Sequence, residues 1–447
     1  MQTQGRGGAK IDRRTFMKLA AGTGIAAASG WSVPRAGQAQ GGTLRIGSES
    51  WVYKKFNLKE WGTKFGAAHK VGTKFETLPD NDISPELLTW PKGRTEWDVI
   101  VVGLPLFVAP LVGQDLLVDM TDFIKAYGED RFVPTFLRDI KFARGTGWYW
   151  PMVPFLGEVI GVQINTKLYR AAGLVDAKGN PKPIPAWDLG EMIDYFRKLS
   201  AVTPLKVGLG LDWDSEFGLH NYLAPLLGAR GSIYSKSDPR MIDLESPEAV
   251  NVLTLFSRLQ KEKLLFGDIA PTAGGSALSN FKAGLIPAHA TTVSRAIESA
   301  ANLGAENVSW IFWPGADRHG SITYTHNAFI PKVSPNQKLA ADFIREQVLS
   351  LPAQVWTFNN FGKLPSQREA YKHVKWFQKE AEATLRIASI STFEPKYKGI
   401  AKLGELFTKE TQQAIVKGSD PAEALANIRK GIAAQHIDLT LLGYTGR

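Results

Sequence analysis

Hydrophobic and polar residues alternate near the start of the chain in short segments that predict strands. Residues 43–47 (Thr-Leu-Arg-Ile-Gly) alternate with a period of two, and residues 97–103 (Trp-Asp-Val-Ile-Val-Val-Gly) form a continuous run typical of a buried parallel strand. Between them lie a helix-like stretch at 57–68 and another extended segment at 72–78. The resulting order of strands and helices predicts a doubly wound α/β sheet.

Three later helices have clear start signals. Ser246 precedes a proline and an acid, Asp420 precedes the sequence Pro-Ala-Glu, and residues 334–337 (Ser-Pro-Asn-Gln) have the pattern of a capping box. The chain has no internal repeat, so we expect a helix-rich α/β protein. The Pro/Gly-rich stretch at 176–185 is either a surface loop or a linker between domains.

The first 39 residues have the organisation of a bacterial export signal. Arg13 and Arg14 precede an apolar run at 19–30, and small residues follow up to Ala39, after which we predict cleavage. The run is shorter than the roughly 20 residues that span a bilayer, so we exclude it from the fold. The arginine pair resembles a twin-arginine signal, which implies export of a folded protein; an ordinary Sec signal is the alternative.

Composition narrows the classes of function. The 447 residues carry a net charge of +10, but the segment after residue 39 has 47 basic and 42 acidic residues, or +5, so we expect no nucleic-acid partner. The absence of cysteine excludes disulfides, Cys-ligated metals and a lipidated cysteine anchor. No later segment offers 18 consecutive apolar residues. We therefore expect a soluble periplasmic protein of two or more domains.

Known catalytic and metal-binding motifs are missing from the sequence. The chain has no His-Glu-x-x-His, no Gly-x-Ser-x-Gly, no Walker loop and no three-glycine dinucleotide fingerprint. Acids alternate at 212–216, but Phe217 stands where a calcium loop needs glycine. We therefore expect no metal, no cofactor and no enzymatic activity. A secreted glycan-active enzyme with paired carboxylates stays open as an alternative.

Aromatic residues are numerous, and several tryptophans stand in polar stretches beside glycine, proline or acids. These are Trp51, Trp148, Trp150, Trp213 and Trp313. An indole face suits the apolar face of a sugar ring, whose hydroxyl groups need polar partners at the edge. Each tryptophan can instead be a core residue with a hydrogen-bonded indole N–H. Together they favour a carbohydrate-like ligand.

Seven segments occur in the order known from one protein family. They are residues 114–121 (Gln-Asp-Leu-Leu-Val-Asp-Met-Thr), 147–154 (Gly-Trp-Tyr-Trp-Pro-Met-Val-Pro), 164–169 (Ile-Asn-Thr-Lys-Leu-Tyr), 185–189 (Pro-Ala-Trp-Asp-Leu), 280–284 (Asn-Phe-Lys-Ala-Gly), 330–336 (Ile-Pro-Lys-Val-Ser-Pro-Asn) and 420–425 (Asp-Pro-Ala-Glu-Ala-Leu). With the export signal, they resemble the family 1 extracellular solute-binding proteins of ABC importers, which include maltose-binding and multiple-sugar-binding proteins. The resemblance runs from Gly42 almost to the C-terminus.

The resemblance implies a type II periplasmic-binding-protein fold. Each of two lobes is then a doubly wound sheet flanked by helices, and a hinge between them lets the lobes close on a ligand. The implied lobes are residues 42–153 plus 327–364 (lobe one) and residues 154–326 plus 365–447 (lobe two). The implied crossovers are near 153–158, 321–328 and 361–367.

The resemblance also implies a set of residues that line the cleft. They are Trp51, Phe155, Glu158, Trp213, His220, His289, Thr292, His326 and Asn327. Glu158 lies where some maltose-type members offer a carboxylate to sugar hydroxyls, with a salt bridge at the hinge as the alternative. Trp51 and Trp213 are expected to stack on the ligand from opposite lobes. A plain packing role is the alternative for Trp51 and Phe155, and a core position is the alternative for Trp213.

Two departures leave the ligand open. Residues 104–107 (Leu-Pro-Leu-Phe) are apolar where maltose-type proteins have polar ligands, and the family's tryptophan is missing from 288–294, so His289 or Thr292 is expected to replace it. We expect a monomer that binds a small-molecule solute, a sugar, oligosaccharide or polyol, and delivers it to ABC permease subunits. A polyamine or an organic phosphate is the alternative solute.

Overall fold

Helices and strands alternate along most of the chain. The computed structural model describes residues 42–78, 93, 95–101, 103, 105–213, 217–266, 276–315, 320–374 and 392–443; the predicted export signal lies outside the described residues. The strands are β1 (Thr43–Glu49), β2 (Gly72–Leu78), β3 (Val99–Val101), β4 (Phe142–Arg144), β5 (Gly147–Tyr149), β6 (Val153–Asn165), β7 (Leu209–Leu211), β8 (Leu265–Phe266), β9 (Ala288–Thr292), β10 (Val308–Ile311), β11 (Ile322–Phe329), β12 (Leu364–Pro365) and β13 (Thr392–Phe393).

The α-helices of the described residues flank these strands. They are α1 (Ser50–Lys55), α2 (Leu58–His69), α3 (Pro105–Gly113), α4 (Thr121–Tyr127), α5 (Pro134–Asp139), α6 (Thr166–Ala171), α7 (Leu189–Ala201), α8 (Phe217–Arg230), α9 (Pro247–Lys261), α10 (Ser276–Lys282), α11 (Val293–Leu303), α12 (Gln337–Phe343), α13 (Leu351–Phe361), α14 (Ile400–Lys417) and α15 (Pro421–Ala434). The opening pattern predicted from the sequence is confirmed, because β1, α2, β2 and β3 fall where it placed them.

The strands of the described residues form one large mixed sheet and a small hairpin. The large sheet has the order β2-β1-β3-β11-β6-β9-β7-β8, with β10 and β12 paired to β6 and β13 paired to β11; β4 and β5 form the hairpin. The outer strands pair in parallel, whereas β11 and β6 run antiparallel to their neighbours in the central path. The antiparallel pair therefore marks the place where two parallel half-sheets meet.

Strand β6 belongs to both half-sheets. All 13 of its residues are buried, and at about 3.3 Å per residue it is roughly 43 Å long. Its first half pairs with β11 and β12, and its second half pairs with β9 and β10. The strand thus contains the crossover expected near 153–158 and the first two residues of the motif at 164–169, whose other residues begin α6.

Two large hydrophobic cores lie on either side of this central pair. One core combines residues between 44 and 156 with residues between 328 and 353; we call the elements around it lobe one. The other core draws on residues between 160 and 437; we call the elements around it lobe two. A third, smaller cluster includes Phe136, Val159 and Phe358 and lies where helices of both groups meet. The lobe boundaries drawn from the sequence stay a prediction.

Two of the three predicted helix starts are confirmed. The side chains of Ser246 and Asp420 each accept a hydrogen bond from the backbone N–H three residues later. The capping box at 334–337 is wrong: α12 begins at Gln337 without a side-chain cap, because Ser334 Oγ accepts from the backbone N–H of Asn336 at 3.1 Å and not from that of Gln337. The Ser334 hydroxyl in turn donates to Oδ1 of the buried Asp98 at 2.8 Å. The Pro/Gly-rich stretch at 176–185 is a loop between two helices that pack on the same core.

Tryptophans thought to stand in polar loops are mostly core residues. Trp213 is 3% exposed, its indole N–H donates to Thr411 Oγ1 at 2.9 Å, and its ring packs against Phe256 and Phe407. Trp150 and Trp313 are also buried, because apolar burial outweighs the polar character of their sequence neighbours. Only Trp51 and Trp148 of the five expose a substantial part of the ring.

The position of Trp213 predicts a large effect on stability. Trp213→Ala should lower the free energy of unfolding by about 3 to 5 kcal/mol, because it removes a buried ring and leaves a cavity. Urea denaturation followed by circular dichroism measures this. Trp148→Ala is the matched control: Trp148 is 48% exposed, so its replacement should change stability little. Equal stability of the two variants would contradict the placement of Trp213 in the core.

Candidate functional site

Glu158 lies in the middle of β6, where the two lobes meet. Its side chain is fully buried. Oε1 accepts a hydrogen bond from Ser294 Oγ at 3.0 Å and forms an ion pair with the ammonium of Lys363, while Oε2 has no hydrogen-bond partner among the described residues. Glu158 therefore forms a salt bridge, as the alternative interpretation of this residue proposed. Its Oε2 is still available to accept a further hydrogen bond.

The charge state of Glu158 follows from its neighbours. Burial alone raises the pKa of this carboxyl, but the nearby Lys363 ammonium and the hydrogen bonding of the ionised form outweigh burial and lower the pKa to about 2. Glu158 is thus ionised at neutral pH and accepts hydrogen bonds there. A group of this kind does not serve as a proton donor in general acid catalysis at neutral pH.

Trp51 and His326 form the aromatic part of the same site. Trp51 follows β1, is partly exposed, and donates its indole N–H to Glu49. The Lys363 ammonium lies 5.3 Å from the centroid of the Trp51 ring, and the His326 ring meets it edge-on at 5.3 Å. His326 Nε2 is 3.9 Å from Glu158 Oε1, and burial lowers the pKa of His326, so its imidazole is neutral at pH 7.

An irregularity in β11 turns Asn327 toward the end of β3. The register between β11 and β6 shifts between His326 and Asn327. The Asn327 amide donates to the carbonyls of Gly103 and Thr325 at 3.0 and 3.1 Å, but its Oδ1 has no partner among the described residues. The bulge therefore places a buried acceptor beside His326, whose two ring nitrogens also lack a hydrogen-bond partner in the described part of the chain.

His220 reaches the site from lobe two through a stack of rings. Its imidazole lies parallel to Tyr324 with the ring centroids 4.8 Å apart, and Tyr324 in turn meets His326 edge-on at 5.7 Å. His220 Nε2 pairs with Glu394, which follows β13. The Tyr324 ring thus separates His220 from His326, and the role of His220 in the cleft stays a prediction.

A second buried ion pair lies beside β11, the strand that carries Tyr324 and His326 of this stack. Lys396 Nζ is 2.7 Å from Asp139 Oδ1, and both side chains are fully buried. The Thr325 hydroxyl donates to the other oxygen of Asp139 at 2.7 Å. Since Asp139 ends α5 and Lys396 follows β13, the pair joins two distant parts of the chain across β11.

Thr292 and Phe155 lie beside Glu158 but in different surroundings. The hydroxyl of Thr292 is 2.8 Å from that of Ser294, which donates to Glu158, so Thr292 acts on the carboxylate through one intermediate. Phe155 is fully buried and packs against Phe56 and Trp61 of lobe one. Its placement gives it a packing role.

The remaining two residues of the predicted set lie away from this cluster. Both ring nitrogens of His289 are engaged inside lobe two, Nε2 with Asp212 at 2.9 Å and Nδ1 with the side-chain amide of Gln163 at 2.8 Å. His289 therefore offers no further hydrogen bond to a solute. Trp213, as described above, has the surroundings of a core residue. The apolar stretch 104–107 has no described side chains.

Several residues of the site escaped the sequence analysis. Lys363 was inside the expected third crossover but was not singled out, and Ser294 was noted only as a neighbour of Thr292. Glu394 and Lys396 alternate with aromatic residues in Phe-Glu-Pro-Lys-Tyr, a pattern typical of a half-buried extended segment. That alternation was the available signal for a fourth segment beside the hinge.

The described residues contain neither a candidate metal site nor a candidate membrane span. In them, no group of three or more His, Asp or Glu side chains is arranged to hold a metal ion. Asp212, a member of the alternating acids at 212–216, is bonded to His289. Among the described helices, none has the length and apolar character needed to cross a membrane.

The Lys363–Glu158 pair predicts how stability depends on pH. The pKa of Glu158 is about 2 in the folded chain against an ordinary 4.5, so the ionised group stabilises the fold above pH 4.5 and loses this effect as the pH falls toward 2. The difference corresponds to about 3 kcal/mol. In Lys363→Met, the ammonium is gone and burial should raise the pKa of Glu158. The variant should therefore have a lower free energy of unfolding than wild type at pH 7. This difference should shrink as the pH falls, because Glu158 becomes protonated.

Urea unfolding between pH 7 and pH 3 measures this dependence. Lys332→Met is the control, because Lys332 pairs with the exposed Asp115. A deficit of Lys363→Met that stays constant over this pH range would show that Lys363 does not control the ionisation of Glu158.

Comparison with solved structures identifies the architecture. Maltose-bound MalE3 of T. maritima is 17% identical, with a TM-score of 0.72, over 88% of this chain and 100% of that chain. A solute-binding protein of Agrobacterium radiobacter in complex with ribitol is 15% identical, with a TM-score of 0.71, over 89% and 99%. UgpB of Mycobacterium tuberculosis in complex with glycerophosphocholine is 14% identical, with a TM-score of 0.70, over 88% and 98%.

At these identities the likeness shows the fold alone, and it confirms the two-lobed periplasmic-binding-protein architecture expected from the sequence. A search of curated proteins finds no match to the chain. The family model described as bacterial extracellular solute-binding protein matches residues 58–347. Since this match spans more than half of the chain and the fold agrees with it, the protein belongs to the bacterial extracellular solute-binding protein family.

Proposed function

We propose that the protein captures a neutral, hydroxyl-rich solute, a sugar, oligosaccharide or polyol, between its lobes and delivers it to the permease subunits of an ABC importer. The observation that carries the proposal is a pair of buried acceptors on the two central strands, one of which, Glu158, is linked to Trp51 through Lys363. Glu158 Oε2 and Asn327 Oδ1 are buried and lack partners among the described residues. Buried acceptors of this kind are satisfied by hydroxyl donors.

The surroundings of these acceptors favour a ring or chain that carries hydroxyl groups. Trp51 is partly exposed and supplies an aromatic face, on which the apolar face of a sugar or polyol packs well. The neutral imidazole of His326 can donate one hydrogen bond and accept another. Maltose and ribitol, which the structural neighbours hold, are solutes of this chemistry.

Charge separates the alternative solutes. The lysines of the site, Lys363 and Lys396, are each held in an ion pair, which disfavours an organic phosphate. A solute with an ammonium group is the second candidate, because Glu49 accepts from the Trp51 indole and the Lys363 ammonium near the Trp51 ring is paired with Glu158. The low pKa of Glu158 supports binding rather than glycan hydrolysis, which needs a protonated carboxyl group.

Capture requires the lobes to separate and close. Glu158, Asn327 and His220 are completely buried, so a solute reaches them only after the lobes have moved apart. A solute that contacts both lobes then stabilises the closed form. We propose a monomer that works in the periplasm, where it meets the permease.

Binding should depend on Trp51 far more than on another exposed tryptophan. Trp51→Ala should weaken binding by about 2 kcal/mol or more, roughly thirtyfold, because a stacked ring in a desolvated site is lost. Trp148→Ala, which removes the exposed tryptophan of the β4–β5 hairpin, should bind as wild type does. A thermal-shift panel with maltose, ribitol, glycerophosphocholine, spermidine and glycerol phosphate first selects the solute, and calorimetry then measures the affinities.

Two results would contradict this proposal. One is equal affinity of Trp51→Ala and wild type for the selected solute. The other is a panel in which glycerol phosphate is the only compound that stabilises the protein, because the paired lysines disfavour that solute.

Export should depend on the arginine pair. We propose that Arg13 and Arg14 direct the folded precursor through the twin-arginine route and that the signal is removed after Ala39. Replacing both arginines by lysine should leave the uncleaved precursor in the cytoplasm, whereas Arg6→Lys should be exported normally. Cell fractionation and immunoblotting measure both. Normal export of the double variant would instead assign the protein to the Sec route.

A further inference from the structure

A lysine of the protein occupies a place suited to a ligand cation. The Lys363 ammonium forms an ion pair with Glu158 and lies 5.3 Å from the centroid of the Trp51 ring. An aromatic face together with a carboxylate is the combination that binds alkylammonium groups in proteins. Here the chain itself supplies the ammonium.

The backbone around Lys363 holds it in this position. Gly362 ends α13 in the left-handed region, with φ 68°, and Lys363 immediately precedes β12, which pairs with β6. A Cβ at Gly362 would come within 2.6 Å of the Ser294 carbonyl oxygen, so the turn lies tight against the start of α11. The Lys363 side chain is only 16% exposed and points into the site.

The tethered ammonium changes what the site can select. With Lys363 in place, the charge of Glu158 is compensated, and a solute ammonium would have to displace a group that the chain holds at high local concentration. Glu158 Oε2 and Asn327 Oδ1 meanwhile stay without a partner among the described residues and can accept from hydroxyl groups. The same site therefore favours neutral donors and disfavours cations.

We propose that Lys363 is the specificity-determining residue of the cleft: as a built-in occupant of the Trp51–Glu158 cation site, it makes the protein select neutral hydroxyl-bearing solutes over ammonium-bearing ones. This inference rests on the proposed function, because it takes Trp51 and Glu158 to contact the solute. Without the ammonium, the same two side chains form a cation site.

Lys363→Met tests the proposal, because it removes the ammonium and keeps most of the side-chain volume. Isothermal titration with choline chloride at pH 8 should show at least about tenfold tighter binding by the variant than by wild type. Lys363→Arg keeps a cation beside Glu158 and should show no gain, and neither should the surface variant Lys332→Met. The double variant Lys363→Met/Glu158→Gln should lose the gain.

The pH dependence adds a signature that a merely structural role of Lys363 would not give. The charged and titratable groups facing Glu158 are Lys363 and His326, with Glu49 beyond Trp51 and Glu394 beyond His220. In Lys363→Met, lowering the pH protonates Glu158 and His326. The carboxylate then loses its negative charge and the imidazole gains a positive one, and both changes weaken the binding of a cation. Choline binding by this variant should therefore weaken from pH 8 to pH 5.5.

Several outcomes would overturn the inference. They are a folded Lys363→Met that binds choline no better than wild type, an equal gain in Lys332→Met, and a gain that survives Glu158→Gln. If Lys363→Met fails to fold by circular dichroism, Lys363→Gln takes its place with the same expected gain. The proposed function fails separately, when Trp51→Ala binds the selected solute as tightly as wild type or when glycerol phosphate alone stabilises the protein. The comparison of the Lys363 variants with choline does not depend on those results.

Discussion

The structure depends on β6, because a strand of 13 buried residues must have hydrogen-bond partners along its whole length. Its first half takes them from β11 and β12, and its second half from β9 and β10. The two half-sheets are therefore joined through one continuous backbone. At its centre, Gly157 leaves room for the Phe136 ring, which a Cβ would approach within 1.9 Å, and the next residue is Glu158.

A charged residue in the middle of a buried strand requires compensation, and this need explains the polar architecture around the hinge. An unpaired buried carboxylate is strongly unfavourable, so Glu158 and Asp139 each have a lysine partner. Removing one partner of such a pair would leave an uncompensated buried charge, which is strongly destabilising. Here the two pairs fix which loops lie beside β6 and β11. The same pairs leave Glu158 Oε2 without a partner among the described residues, and the proposed preference for hydroxyl-bearing solutes is built on acceptors of this kind.

Much of the fold could be predicted because local sequence carries it. The alternation at 43–47, the β-branched run before Gly103 and the caps at Ser246 and Asp420 act over a few residues and were confirmed as strands and helices. The capping box at 334–337 failed for an instructive reason. A tertiary contact fixes the Ser334 hydroxyl: it donates to Asp98, which is 236 residues away along the chain, and its oxygen accepts from the N–H of Asn336 instead of that of Gln337.

The sequence by itself determined the order of strands and helices, the export-signal pattern and the family-like succession of motifs, since each of these is a property of neighbouring residues. Only the tertiary structure decided which polar side chains meet. Lys363 and Glu158 are 205 residues apart, and Lys396 and Asp139 are 257 apart. Tertiary packing also decided that Trp213 and His289 lie inside lobe two, away from Glu158. Pairing of charges and burial of rings depend on the summed surroundings in space, which no local pattern records.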